Sequence, residues 1–171
     1  EFETKGNIKD MVKLEEELLD FLGFEKDSVH CTYDGLCERY ETEILEAEHE
    51  ERMNKEIGSK IFLKEFPKRT HPFWNMNEDM TKGIFSKVDV ILHGQETIGS
   101  AERSSDKDAM HYNFLNQTDG AYANLLFSKF GKERVMRELN EFLSHDFFPR
   151  FGGGIGVTRM ARAMKLEGLL G

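Results

Sequence analysis

The segment FGGGIGVTR, Phe151 to Arg159, constrains the fold of this 171-residue chain more than any other, because four glycines fall within five positions. A strand interior that bare gives up side-chain packing and carries extra backbone entropy. Such a stretch suits a place where another body must approach the backbone closely. It ends in an arginine and then in MARAMKLEGLL, which reads as a helix. The glycine offsets differ from the dinucleotide fingerprint, and no Gly-Lys-Ser/Thr closes the run as in a P-loop. What remains is a flat strip against which a planar ring could lie. Arg159 then falls in the first turn of the helix, where unpaired amides and the helix dipole favour an anion. A forked guanidinium there suits phosphate oxygens. A tight strand-to-helix junction carrying a surface arginine fits the same letters.

The rest of the chain supplies strands and helices without a regular alternation. Asn7 caps and Gly23 stops a predicted helix over NIKDMVKLEEELLDFLGF, and VHCTYDG predicts a short strand or turn. LCERYETEILEAEHEERMNKEIG predicts one exposed helix ending at Gly58, and KIFLKEFP a strand closed by Pro67. SKVDVILHGQETIGSAER predicts a hairpin turning at His93-Gly94, followed by helices over AYANLLFSKFG and KERVMRELNEFLSH. Strands packed on helices in this order predict a single α+β domain over residues 1–171. Its formal net charge of -9 argues against a broad basic nucleic-acid footprint. No apolar run approaches the roughly 18 residues of a membrane span, and a cytoplasmic location is expected. Cys31 and Cys37 make no disulfide scaffold, and a zinc site would need further ligands at the right spacing. The chain begins at Glu1 rather than a methionine, so we expect it to be part of a longer protein.

The hairpin adds chemistry to the glycine strip. A two-residue turn sets Asp89 opposite Ile98 and Ile91 opposite Glu96, which makes Asp89 and Glu96 diagonal neighbours, roughly 7–8 Å apart in backbone. Two carboxylates so placed can hold one divalent ion, as magnesium-nucleotide sites require. Two solvated acids on an exposed hairpin fit equally well. Strict alternation sends Arg103 to the opposite face, and a bulge at Gly99-Ser100 would turn it back.

Together these residues resemble the class II aminoacyl-tRNA synthetases, in the aspartyl and asparaginyl branch. GGGIGVTR resembles motif 3, with Gly152, Gly154, Gly156 and Arg159 in register. QETIGSAER, FPKRTHPFWNM and EFETKGNIKDMVKLEEELLDFL resemble three further segments of that branch, in the right order along nearly the whole chain. PFW and GIGVTR also resemble the archaeal asparagine synthetases related to asparaginyl-tRNA synthetase, and GGGIG the bacterial ammonia-dependent asparagine synthetase. Thr158 stands where the synthetases usually have glutamate, and PRFGG replaces their Pro-His-Gly-Gly.

The resemblance implies the C-terminal part of a catalytic domain, an antiparallel sheet flanked by helices, with motif 1 and the motif 2 loop outside the chain. It implies an ATP-dependent ligase. Arg159 would bind the γ-phosphate of ATP, and Gly152, Gly154 and Gly156 would line the adenine floor. Asp89 and Glu96 would hold Mg2+ and the phosphates. Arg103 would read the side chain of aspartate or asparagine, and Glu3 would lie near nucleotide or substrate amine. The acceptor expected first is ammonia, making asparagine; tRNA is the alternative, and an amino-acid- or nucleotide-binding paralogue without chemistry is a third. A homodimer through segments upstream of Glu1 is expected.

Overall fold

The computed structural model describes residues 1–170. Its centre is a seven-stranded sheet built from β1 (Phe2–Lys5), β2 (Val29–Thr32), β3 (Lys60–Pro67), β4 (Glu78–Asp79), β5 (Ile84–Leu92), β6 (Gln95–Arg103) and β7 (Arg150–Ile155). The strands run β1-β7-β6-β5-β3-β2, with β4 pairing onto β5. Every pairing is antiparallel except β2 with β3. Among the described residues no helix is long and apolar enough to cross a membrane.

One face of the sheet is closed by α1 (Ile8–Leu22) and α7 (Val157–Leu166). Met11 and Leu19 of α1, and Met160 and Ala163 of α7, pack there on Phe62, Val88, Val90, Ile98 and Phe151. Those strand residues alternate along their strands, as a half-covered sheet demands. Asn7 caps α1 by accepting from the Lys9 amide, and Gly23 ends it in the left-handed region at φ 96°.

The opposite face is covered only at its β3 end, by α2 (Tyr33–Tyr40) and α3 (Ala47–Glu56). Tyr33, Leu36, Tyr40 and Met53 pack there on Ile61, Leu63, Phe66 and Ile91. This corrects the single exposed helix expected before Gly58. Glu41 takes a left-handed conformation at φ 52° and ends α2, and the ring of His49 accepts the Glu46 amide to start α3. Remaining helices α4 (Lys107–Asn116), α5 (Ala121–Phe130) and α6 (Lys132–Ser144) form a separate lobe around Trp74, Phe114, Val135 and Leu139. The amino-acid pattern carries no clear sign of α4, whose buried residues are only Met110 and Phe114.

The hairpin turns at His93-Gly94 as expected, with both residues at positive φ. Its register differs. Leu92 pairs with Gln95 and Ile91 with Glu96, but Val90 then pairs with Ile98 and Asp89 with Gly99 rather than Ile98. Thr97 is therefore a bulge, two residues nearer the turn than the Gly99-Ser100 position expected. It has the same effect on facing: Glu96, Gly99, Ala101 and Arg103 all lie on the same side as Asp89.

Beneath that sheet Glu15 of α1 is fully buried, and neither of its carboxylate oxygens has a hydrogen-bond partner. Ser100 lies close enough to offset part of that cost, but its hydroxyl is turned to the Val88 carbonyl at 3.3 Å. Burial pushes the Glu15 carboxyl up to about 7. The folded protein thus holds this proton more tightly than the unfolded chain. Its contribution favours folding below about pH 4.5 and is lost as pH rises through about 7. Glu15→Gln mimics the neutral acid, so urea unfolding should show it more stable than wild type at pH 8, on the order of 3 kcal/mol. The difference should vanish near pH 4.5, and a gap unchanged with pH would contradict the assignment.

Candidate active site

The open part of the second face carries a groove of about 510 Å³ floored by Gly99, Gly153 and Gly154 and walled by Glu3, Met76, Lys87 and Arg103. An adjoining cavity of about 440 Å³ lies toward β3, between Glu50, Asp89 and Glu96 and the rings of Tyr33, Phe66 and Phe73. Lys87 and Met76 line both spaces. Met76 reaches the groove because Asn75 to Asn77 run beside the end of β6, where the Asn77 amide donates to Glu102 O and Ser104 N donates to Asn75 O.

The glycines of β7 serve three different needs. A Cβ on Gly154 would meet nothing within 4 Å, so the strip is open there. On Gly153, which faces the helices, a Cβ would lie 2.7 Å from Ser100 Cβ and 2.8 Å from the Gly99 carbonyl oxygen. On Gly152 it would lie 2.7 Å from the Phe2 carbonyl oxygen, beside the Glu3 side chain. Gly156 stands off the strand as the N-cap of α7 and packs on Arg159. The bare surface is thus centred on Gly154, with Glu3 standing over Gly152.

Arg159 is exposed in the first turn of α7, and its Nη1 donates to the Glu96 carbonyl at 2.6 Å. The helix has no side-chain cap, so its leading amides are free to bind an anion. Arg103 is mostly buried, and burial lowers its pKa, with Arg150 adding to the effect and Glu3 opposing it. Glu3 is shared: its Oε1 accepts from Arg150 Nε at 3.0 Å, and its Oε2 lies 3.8 Å from Arg103 Nε. Arg150, buried, also donates to Ser104 O and lies over the Phe147 ring.

Asp89 Oδ2 accepts from Lys87 Nζ at 2.5 Å, while its Oδ1 is buried with no partner. Burial pushes the Asp89 carboxyl up to about 6; Lys87 opposes this, and Glu96 and Glu50 reinforce it. Glu96 Oε1 and Asp89 Oδ1 converge over Gly99, at 2.7 and 3.6 Å from where its Cβ would stand. Glu50 accepts the Glu96 amide at 2.7 Å, and burial raises its pKa as well. Among the described residues no group of three or more His, Cys, Asp or Glu is arranged to hold a metal ion. A magnesium ion needs only one or two carboxylates when phosphates and waters complete its shell. The unpartnered Asp89 Oδ1 facing Glu96 is the kind of pair that fits it.

Of the residues expected from sequence, Glu3, Asp89, Glu96, Arg103, Gly152 and Gly154 share this face, joined by Gly99, and Arg159 reaches it from α7. Lys87, Glu50, Met76 and Arg150 were not expected there. Lys87 was within reach of the same reasoning, since it lies two residues before Asp89 on one strand. His93 sits in the turn and pairs with Glu167 at 3.0 Å, and His111 lies within α4.

This arrangement of sheet, glycine strip and arginines matches a known class. The chain belongs to the family of class II tRNA synthetases (D, K and N), whose model matches residues 4–167. Asparaginyl-tRNA synthetase from Entamoeba histolytica, in complex with asparaginyl-adenylate, superposes with TM-score 0.73 at 17% identity, over 97% of this chain and 43% of that one. Asparaginyl-tRNA synthetase from Pyrococcus horikoshii gives 0.72 at 19%, over 98% and 45%. Aspartyl-tRNA synthetase from Entamoeba histolytica gives 0.70 at 17%, over 94% and 39%. The chain therefore spans less than half the length of these relatives. No curated protein sequence matches it.

The packing of Gly153 gives a structural test. Gly153→Ala sets a methyl against Ser100 and the Gly99 carbonyl, neither of which is a free chain end. A loss of about 1–3 kcal/mol is expected, read as a fall of several degrees in calorimetric Tm. An unchanged Tm would mean that β6 and β7 part without cost.

Proposed function

We infer that this face activates aspartate or asparagine as an aminoacyl-adenylate, using ATP. The observation that carries the reading is convergence on one sheet face of the open backbone at Gly154, the Arg103 guanidinium, and the Asp89 and Glu96 carboxylates. The adenine would lie on the strip at Gly154, flanked by Gly152 and Gly156, and Arg159 with the leading amides of α7 would bind the phosphate tail. Arg103 would grip the amino acid through its planar fork, held in aim by Glu3. Asp89 and Glu96 would hold a magnesium ion, which supplies charge neutralisation for the phosphates when bound. The substrate carboxylate attacks the α-phosphorus in line, an oxygen–phosphorus bond forms, and pyrophosphate leaves. No side-chain nucleophile is needed, because placement and electrostatic stabilisation supply the rate.

Family membership favours tRNA as the acceptor of the activated acyl group, and one of the similar synthetases is in complex with asparaginyl-adenylate. Ammonia as acceptor, giving asparagine, is the second reading, favoured by the likeness of PFW and GGGIGVTR to asparagine synthetases. We further propose that the α-phosphate arginine loop and the dimer-forming segment belong to regions of the relatives that this chain does not span, so that residues 1–171 alone hold part of the site.

Full-length protein should exchange pyrophosphate into ATP when given aspartate or asparagine, and the isolated 171-residue chain should not. Exchange by the isolated chain would overturn the partial-site reading, and no exchange by the full protein would overturn the function. Within that assay Arg159→Ala and Gly154→Val should each weaken ATP binding about tenfold or more, with Tm without nucleotide lowered by no more than about 4 °C. A large Tm loss in either would mean that the residue serves the fold.

A further inference from the structure

The groove contains a cation to which the activation reaction assigns no role. Lys87 pairs in register with Ala101, so Arg103 is its diagonal neighbour on the next strand. Diagonal neighbours stand roughly 7–8 Å apart in backbone, which two long side chains can close upon one small group. Both line the same groove. Lysine at a sheet surface ordinarily extends its ammonium into water. Here the Lys87 side chain is only 22% exposed, its ammonium fixed by Asp89 Oδ2 and lying 3.8 Å over the centre of the Phe66 ring. It is held at the partition between the glycine groove and the acidic cavity, together with Met76. The opposing carboxylates are already engaged: Glu3 is divided between Arg150 and Arg103, and Asp89 serves Lys87 through one oxygen.

We propose that Lys87 is a specificity-determining residue, forming with Arg103 a two-cation clamp that selects an amino acid with a side-chain carboxylate, aspartate, over its neutral amide, asparagine. The inference rests on the activation reading and decides between its two amino acids. A carboxylate gives the Arg103 fork a second acceptor oxygen and gives the Lys87 ammonium an anion. A carboxamide of the same shape offers one acceptor oxygen and turns an NH2 donor toward a cation. The difference is one of buried charge pairing, where mismatched polar groups cost most. Lys87 binds substrate in this scheme and takes no proton.

The test is calorimetric titration of the full-length protein with L-aspartate and with L-asparagine. Wild type should bind aspartate at least about tenfold more tightly. Lys87→Met should bring the two affinities within about threefold, mainly by losing aspartate, and Lys87→Arg should keep the preference. Equal binding of the two by wild type, preference for asparagine, absence of aspartate binding, or equal weakening of both in Lys87→Met would each overturn the clamp. Should Lys87→Met fail to fold, the wild-type ratio and Lys87→Arg still decide. Pyrophosphate exchange separates the two levels. Aspartate preference in binding without exchange would sink the activation reading and leave the clamp, and exchange with asparagine preferred would do the reverse.

Discussion

Backbone groups of Glu96 and Thr97, at the turn end of β6, hold the candidate site together. The Glu96 amide and carbonyl point away from β5 at a place where the pairing of β6 with β7 has not begun, and backbone groups without ladder partners must be satisfied elsewhere. Here the Glu96 amide goes to Glu50 on α3, the Glu96 carbonyl to Arg159, and the Thr97 carbonyl to the Gly156 amide at the head of α7. These bonds tie the two flanking helices to β6, beside the bulge. The bulge shifts the facing of every later residue on that strand by one. Without it, Gly99 and Arg103 would point into the helices of the other face, and Asp89 and Glu96 would face the groove without the arginine.

The two faces of the sheet are built on different principles. The helix-covered face is apolar from Phe62 to Phe151, and it tolerates one unpartnered carboxyl, Glu15, only by pushing the proton onto it. The open face carries its charges in fixed pairs: Lys87 with Asp89, and Glu3 with Arg103 and Arg150. Such pairs gain little net stability once desolvation is counted. Their effect is orientation, since a guanidinium already aimed by a carboxylate loses less freedom when a ligand arrives.

Features set by local chemistry could be read from the letters. Asn7 and Gly23 mark α1 because capping and left-handed termination depend on single residues. His93-Gly94 marks the hairpin because both turn positions require positive φ. The glycine run could be read as a strip, but its division of labour could not. Whether Gly153 or Gly154 is crowded depends on Ser100 and Phe2, which meet β7 from distant parts of the chain. A bulge in β6 could be read, but its place escaped for the same reason. The Thr97 carbonyl accepts the Gly156 amide and the adjacent Glu96 amide donates to Glu50, partners that no pattern within β6 reveals. Likewise the break between α2 and α3 hangs on Glu41 in a left-handed conformation, which its type does not announce.

Charge distribution connects these observations to chemistry. The chain carries nine more acids than bases, yet its groove gathers Lys87 and Arg103, with Arg150 pressed beneath Glu3 and Arg159 at the rim. A triphosphate approaching an acidic protein is repelled at long range, although within a Debye length of about 8–10 Å the nearest charges dominate. The cations therefore act at contact rather than by steering, and their value depends on water being excluded around them. Aromatic and sulfur side chains at Phe66, Phe73 and Met76 border that space and lower its local dielectric. The same burial that raises Asp89 and lowers Arg103 strengthens whatever ionic contact a ligand makes there. A site of this kind holds its charges at a cost to the free fold and recovers that cost when the complementary charge is bound.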